Sequence, residues 1–186
     1  MSENLRNFTT AIYGFDAVAQ RVPNDQWDAD TPCDGWCARD LVAHLCGTIE
    51  ALTQMTRTGE VAMPATPDVG DDPLGYWNTT RDDVLEALDQ AGAINTEGAF
   101  WWGPMSIDRL LAFVQWDPLA HSWDLARATG QEAHGDQTVA ASAIATIEPM
   151  ADTLRKMNLM GDPVEVPADA DAMTRFLGLT GRDPNR

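Results

Sequence analysis

The sequence predicts an all-α protein, and three observations support this fold class. Apolar residues recur at three- and four-residue spacing through most of the 186 residues, and this spacing marks one face of a helix. The alternation typical of a strand is confined to Val-Glu-Val at 164–166. The length and the hydrophobic fraction of 44% are typical of one globular domain. We therefore expect a single helical bundle over residues 1–186.

Three helices are predicted in the first half of the chain, over residues 4–20, 37–58 and 76–91. Pro23 stops the first helix and Gly59 stops the second, because proline and glycine end helices in characteristic ways. The apolar stripe of the second helix includes His44, so a histidine is predicted to face the core. The segments between the helices are rich in Pro, Gly and Asp and are predicted to be turns or loops.

The second half predicts further helices over residues 107–128 and 137–158, and a short one from 168 to Gly178 or Gly181. Ser106 can cap the first of these, and Gly130 ends it. Asp117 followed by Pro118 leaves two interpretations open. Asp117 caps a helix that restarts there, or the helix runs through and Pro118 kinks it.

Three adjacent aromatic residues, Phe100, Trp101 and Trp102, precede Gly103 and Pro104 in a predicted loop. Three neighbours cannot all face one core. The loop therefore either folds over a pocket or forms an exposed contact, although packing of one or two of the rings in the core is the default.

The charge of the chain argues against several classes of partner. Lys and Arg total 12 against 29 for Asp and Glu, a formal net charge of −17, so nucleic acid and anionic membranes would be repelled. No apolar stretch is long enough to span a bilayer, and no targeting segment is recognisable at the N-terminus. Three cysteines, an odd number, argue against a disulfide framework. We expect a soluble, cytoplasmic protein with no nucleic-acid and no membrane partner.

His44, Asp117 and His121 form the candidate metal site. Asp117 and His121 are four residues apart, so both project from one face of a helix. His44 on the second helix would complete a set of two histidines and one carboxylate if the two helices face each other. Such a set leaves positions open for water or substrate. His134 follows a helix stop and is predicted to be solvated.

Purely structural roles are the alternative hypothesis for these three residues. Histidines on apolar faces are more often hydrogen-bonded core residues than ligands, and Asp117 can be a helix cap. Asp124 and Arg127 are predicted to form a local ion pair, with Asp124 as an alternative partner for a ligating histidine.

A cysteine-containing zinc site is the other metal hypothesis, formed by Cys33, Cys37, His44 and Cys46. Positions 37, 44 and 46 do not share a helix face, which disfavours it. Buried thiols are the favoured interpretation of Cys37 and Cys46. Cys33 is an accessible thiol without a sign of activation.

Three stretches of the sequence carry a family resemblance: TPCDGWCARDLVAHL at 31–45, AHSWDLARATG at 120–130 and GRDP at 181–184. Together they resemble actinobacterial metal-binding proteins related to the N-terminal domain of mycothiol-dependent maleylpyruvate isomerase, within the DinB/YfiT-like superfamily. The resemblance covers essentially the whole chain.

The resemblance implies a DinB-like four-helix bundle, here with an extra short C-terminal helix, that holds one divalent metal, usually zinc or nickel. His44 and His121 match the two motif histidines, and the third ligand falls at Asp117, where relatives usually have His or Glu. Related enzymes activate a low-molecular-weight thiol, which implies mycothiol as a cofactor. The isomerase carries a second domain that we do not expect in this chain, so maleylpyruvate isomerisation itself is not the expected reaction.

Two functions follow from these observations. The first is a metal-dependent enzyme that activates a mycothiol-type thiol or water for transfer to, or isomerisation of, a small electrophile that enters past Trp101 and Trp102. Asp124 and Glu50 are weak candidates for its general base. The second is a non-catalytic protein that binds a metal or small molecule in the same pocket. Both functions are compatible with a homodimer.

Overall fold

The computed structural model describes residues 1–100, 103–132 and 134–185, and these residues form a predominantly helical fold. The helices are α1 (Glu3–Ala19), α2 (Ala38–Thr58), α3 (Pro73–Asp89), α4 (Ile107–Val114), α5 (Trp116–Ala128), α6 (Gln137–Ile147), α7 (Ala151–Lys156) and α8 (Ala172–Leu179). A short antiparallel pair, β1 (Glu97–Phe100) and β2 (Gly103–Ser106), precedes α4. The all-α expectation is confirmed, with this small sheet as an addition.

The four-helix bundle consists of α1, α2, α3 and a fourth, interrupted helix that comprises α4 and α5. The first helix packs on α4 and α5, while α2 packs on α3 and α5. Their apolar stripes meet in one core cluster whose largest buried side chains include Phe8, Phe15, Leu41 and Trp77. The stripes of α1 and α2 therefore face the core as predicted, except that the side chain of His44 is only partly buried.

A second layer is built from α6, α7 and α8. The helices α6 and α8 pack on each other, and α6 also contacts α1, α4 and α5. Ile147, Leu154 and Phe176 are buried in the resulting second cluster. Burial of this apolar area, at about 25 cal/mol per Å² removed from water, is what joins the C-terminal third of the chain to the bundle.

Sequence-encoded caps set many of the helix ends. The hydroxyl of Ser106 accepts a hydrogen bond from the backbone N–H of Arg109 at 3.3 Å, as predicted. Gly59 ends α2 with φ +71° and Gly130 follows α5 with φ +65°. A residue with a Cβ adopts this left-handed conformation only at a cost, which is why glycine stands at both positions.

Two predicted helices are each divided in the structure. The helix predicted over 107–128 is interrupted at Gln115, because Pro118 cannot donate an N–H to the carbonyl of Val114 and its ring crowds that turn. The helix predicted over 137–158 breaks into α6, a 3₁₀ turn at Glu148–Met150 and α7, since Pro149 lies in that turn. At both places a proline interrupts the helix although the apolar stripe continues through it.

The predicted loop around residue 100 is wrong in part. The backbones of Glu97–Phe100 and Gly103–Ser106 pair in register, with Glu97 opposite Ser106. The strands lack the β-branched alternation that would have marked them. Conversely, the Val-Glu-Val segment at 164–166 is not a strand. Trp101 and Trp102, predicted to flank the entrance of a pocket, lie outside the described residues.

Within the described part of the chain, no helix combines the length and the apolar character that crossing a membrane requires.

Candidate metal centre

His44, Asp117 and His121 come together between α2 and α5. The Nε2 atom of His44 lies 3.4 Å from Oδ2 of Asp117, and Nε2 of His121 lies 3.3 Å from Oδ1 of the same carboxylate. The three donor atoms all lie within 4.8 Å of one another. The fold therefore brings together the three residues that the spacing and the motifs selected.

Local structure explains how Asp117 reaches both histidines. It lies in the first turn of α5 and not at the N-cap, which is Gln115. After the break at Gln115 the new helix begins at Trp116, and Asp117 in its first turn faces His44 of α2. A carboxylate is also favourable there, since the N-terminal end of a helix carries partial positive charge. The capping interpretation of Asp117 does not match this position.

The site is buried on one side and open on the other. The side chains of Asp117 and His121 are 11% and 8% exposed, whereas that of His44 is 32% exposed. The indole of Trp36 lies against both imidazoles, with ring centroids 4.8 Å from His44 and 5.9 Å from His121. A small molecule from solvent would therefore approach beside His44.

Asp124 fixes the orientation of His121 from behind. Its Oδ2 lies 2.9 Å from Nδ1 of His121, three residues earlier on the same helix. This contact holds Nδ1 in the protonated form and leaves Nε2 to face Asp117. Asp124 thus contacts His121, the histidine predicted as a ligand, which is the alternative to the ion pair with Arg127.

The predicted ion pair between Asp124 and Arg127 is wrong. Asp124 is fully buried and pairs instead with Arg182, whose Nε and Nη2 donate to its two oxygens at 2.8 and 2.6 Å. Arg127 lies over the ring of Trp123, 5.7 Å from its centroid. The sequence offered a partner one turn away, but Asp124 points inward to a residue 58 positions later.

Electrostatics in the cluster favour a bound positive charge. Burial would raise the pKa of Asp117, but hydrogen bonds from His121 and His44 outweigh burial and hold that pKa far below 3.8. Burial would lower the pKa of His121, but hydrogen bonds with Asp117 and Asp124 raise it well above 6.5. Without metal, His121 therefore holds a proton between two carboxylates. A divalent cation is the natural replacement for that proton.

The competing zinc hypothesis is not supported by the positions of the thiols. Cys46 is buried, while Cys37 lies at the start of α2 with its Sγ 3.0 Å from a carboxylate oxygen of Asp40. The thiol of Cys33 donates to Oδ2 of Asp124 at 3.4 Å. The three thiols therefore lie in three different environments and do not converge on one site. Burial is as expected for Cys46 but only partial for Cys37.

Glu50, one of the two weak candidates for the general base, lies away from the three candidate ligands, at a separate cavity. Its carboxylate interacts with the Tyr76 hydroxyl and, with desolvation, raises the pKa of Tyr76 to about 12. Both residues line a separate cavity of about 740 Å³ with Asp72 and Asp83. His134 is exposed, as predicted, with its nearest carboxylate at Glu132, 3.5 Å away.

Comparison with known proteins places the chain in a family. A model of the mycothiol maleylpyruvate isomerase N-terminal domain matches residues 8–126, well over half of the chain. The chain belongs to this family. The match includes His44, Asp117 and His121, and it confirms the resemblance inferred from the three motifs.

Two relatives of the chain are mycobacterial. Two uncharacterized proteins of Mycobacterium tuberculosis, from strains CDC 1551 / Oshkosh and ATCC 25618 / H37Rv, are each 28% identical over 176 residues, which is 90% of this chain and 93% of the relative. The fold is shared with a crystal structure of a histidine-to-alanine mutant of the mycothiol-dependent maleylpyruvate isomerase. That match has a TM-score of 0.61 and 12% identity, and covers 98% of this chain and 90% of that chain.

Proposed function

We propose that this protein holds a divalent metal ion through His44, Asp117 and His121 and uses it to bind and activate a low-molecular-weight thiol of the mycothiol type. The convergence of these three donors, with Asp124 orienting His121, carries the proposal. Membership of the mycothiol maleylpyruvate isomerase family supports the thiol part. The products would be those of thiol-dependent transfer or isomerisation of a small electrophile.

The donor set fits a borderline metal such as zinc or nickel. Two imidazole nitrogens and one carboxylate oxygen suit these ions, and three protein ligands leave at least one position for an exogenous group. A metal held there supplies Lewis acidity that lowers the pKa of a bound thiol or water.

The residues of the chain contribute orientation and exclusion of water. Asp124 keeps Nδ1 of His121 protonated, so Nε2 faces the site. Trp36 covers one side of both imidazoles and limits solvent there. The partly exposed edge of His44 gives a thiol its approach. The set carries one carboxylate, so a divalent ion bound to it retains positive charge that attracts a thiolate.

Metal content decides the first half of the proposal. Untagged protein, loaded with zinc or nickel and desalted, is expected to hold about one equivalent of metal, and His44→Ala and His121→Ala are expected to lose it. His134→Ala removes an exposed histidine and serves as the matched control. Mass-spectrometric metal analysis checks this. Wild-type protein without metal, or equal metal in all four proteins, would contradict the site.

Thiol binding decides the second half. Calorimetric titration with mycothiol is expected to give heat with the metal-loaded protein and none with metal-free protein or with Asp117→Asn, which removes the one negative ligand. A thiol that binds equally with and without metal would contradict activation at the metal. Stoichiometric metal without any thiol binding would favour the non-catalytic binding protein instead.

A further inference from the structure

Arg182 comes from a part of the chain that the family match does not reach, yet it contacts the interior of the candidate site. The match ends at residue 126, whereas Arg182 lies three residues beyond α8. Its side chain is 12% exposed, and its guanidinium meets both oxygens of the fully buried Asp124. A bidentate pair of this kind is strong and directional.

The backbone conformation around Arg182 places its side chain next to Asp124. Gly181 adopts φ +86°, and a Cβ there would stand 2.8 Å from the Cα of Gly161. The N–H of Arg182 then donates to the carbonyl of Leu177 at 2.8 Å, while its Nη1 donates to the carbonyl of Thr180 at 3.2 Å. Arg182 is therefore held both by its backbone N–H and by its guanidinium group.

Among the described residues, Asp124 has two strong partners, Arg182 and His121. Its Oδ2 accepts from Arg182 and contacts Nδ1 of His121, and among the described residues its further contact is with the weak donor Sγ of Cys33 at 3.4 Å. Without Arg182, a buried carboxylate would keep one charged neighbour, His121, and would be free to rotate or to take up a proton.

We propose that Arg182 is a positioning residue for the metal centre: it fixes Asp124, which fixes the ring of His121. The inference rests on the proposed metal site for its functional consequence, but the chain of contacts from Arg182 to the His121 ring exists without metal. The same contacts argue against a metal between Cys33, His121 and Asp124, although their donor atoms are also close. The guanidinium occupies both oxygens of Asp124 and would repel a cation there.

The metal-free protein provides the first readout. In ¹⁵N-labelled protein with a chelator, the Nδ1–H of His121 is expected to give a downfield ring signal, assigned by its loss in His121→Gln. Arg182→Met is expected to abolish or broaden this signal by opening the ring N–H to water. Arg127→Met is the matched control, because Arg127 lines the same 660 Å³ cavity as Arg182 without touching Asp124. An unchanged signal in Arg182→Met would overturn the inference.

Metal affinity provides the second readout. Loss of a group that orients a ligating histidine typically weakens metal binding about 10- to 100-fold, and we expect this range for Arg182→Met, with Arg182→Lys intermediate. In the Asp124→Asn background the further effect of Arg182→Met should vanish, because Arg182 acts through Asp124. Equal, additive losses would show a merely structural role and overturn the inference.

The two readouts separate this inference from the proposed function. If wild-type protein binds no metal, the proposed function fails, while the ring signal still decides the role of Arg182. If Arg182→Met does not fold, Arg182→Lys carries the test: faster exchange of the His121 ring proton supports positioning, and an unchanged rate contradicts it.

Discussion

His121 is held at both ring nitrogens by carboxylates of its own helix, Asp117 on one side and Asp124 on the other. Such an arrangement stabilises a positive charge at the ring, whether a proton or a metal ion. The pKa shifts of the three residues are consistent with this: those of both carboxyl groups are lowered, that of Asp124 to about 2, and that of His121 is raised. The unfolded chain has none of these contacts, so folding stability must depend on pH.

We expect the metal-free protein to be most stable between about pH 4 and pH 6.5. The lowered pKa values of Asp117 and Asp124 contribute stability that is present above the unfolded value near 4 and is lost as pH falls. The raised pKa of His121 contributes stability that is complete below 6.5 and is lost as pH rises through the folded value. Urea unfolding with a chelator at pH 3, 5.5 and 8.5 checks this.

The control for the alkaline loss is His121→Gln, which should remove the decline between pH 5.5 and 8.5, whereas the exposed His134→Gln should keep it. Saturating metal should remove it too, since the ion replaces the proton. Stability of the metal-free wild type that rises from pH 5.5 to 8.5 would contradict the charge arrangement.

At the scale of elements, two interruptions position the site. The break at Gln115 separates α4 from α5 and places Asp117 in a first helical turn. The crossing of Gly161 and Gly181 brings the segment after α8 close enough for Arg182 to reach α5. The first feature depends on Pro118, which lacks an N–H and crowds the preceding turn, and the second on Gly181, which adopts a positive φ and has no Cβ to block the close approach.

Gly181→Ala is expected to cost more stability than Gly92→Ala. Both glycines have positive φ, +86° and +84°, so each substitution carries a left-handed penalty of about 1 kcal/mol. Only at Gly181 would the new methyl group also meet backbone, 2.8 Å away, while nothing lies within 4 Å at Gly92. We expect a total loss of about 2 kcal/mol or more at Gly181.

Denaturant unfolding of both variants measures this difference, and the His121 ring signal shows whether Arg182 still reaches Asp124. Equal losses for the two variants would mean that the Gly161–Gly181 crossing is not a tight contact in solution.

For the whole molecule, the dominant electrostatic feature is the net charge of −17. Exposed pairs such as Arg57–Asp83 and Arg39–Asp28 are few relative to the 29 acidic residues. Self-repulsion of this surface opposes compaction. The site is insulated from it, because Asp117, His121 and Asp124 are buried and paired among themselves and with Arg182.

Added salt is therefore expected to stabilise the fold. Raising NaCl from about 10 mM to 0.5 M shortens the Debye length from about 30 Å to below 10 Å, and we expect the thermal midpoint at pH 7 to rise by a few degrees. Potassium chloride at equal ionic strength should give the same rise. A midpoint that falls with salt would mean that surface ion pairs outweigh the repulsion.

The helical class, the family and the three residues of the candidate metal site could all be predicted from the amino-acid sequence. Helical periodicity and capping residues act within a few positions, so α1 and α2 and the ends at Gly59 and Gly130 could be predicted locally. His44 and His121 could be chosen because only three histidines exist and two of them lie on apolar stripes. Whether they bind metal stays a prediction.

Other groups that meet across long sequence separations could not be predicted and are known from the folded structure. The sequences of β1 and β2 lack the alternation that predicts a strand. Asp124 forms its ion pair with Arg182 and not with Arg127, the partner predicted from spacing. Both outcomes depend on how distant segments pack. A buried carboxylate must be satisfied by whichever cation the fold brings to it, and burial, unlike spacing, is a property of the whole folded chain.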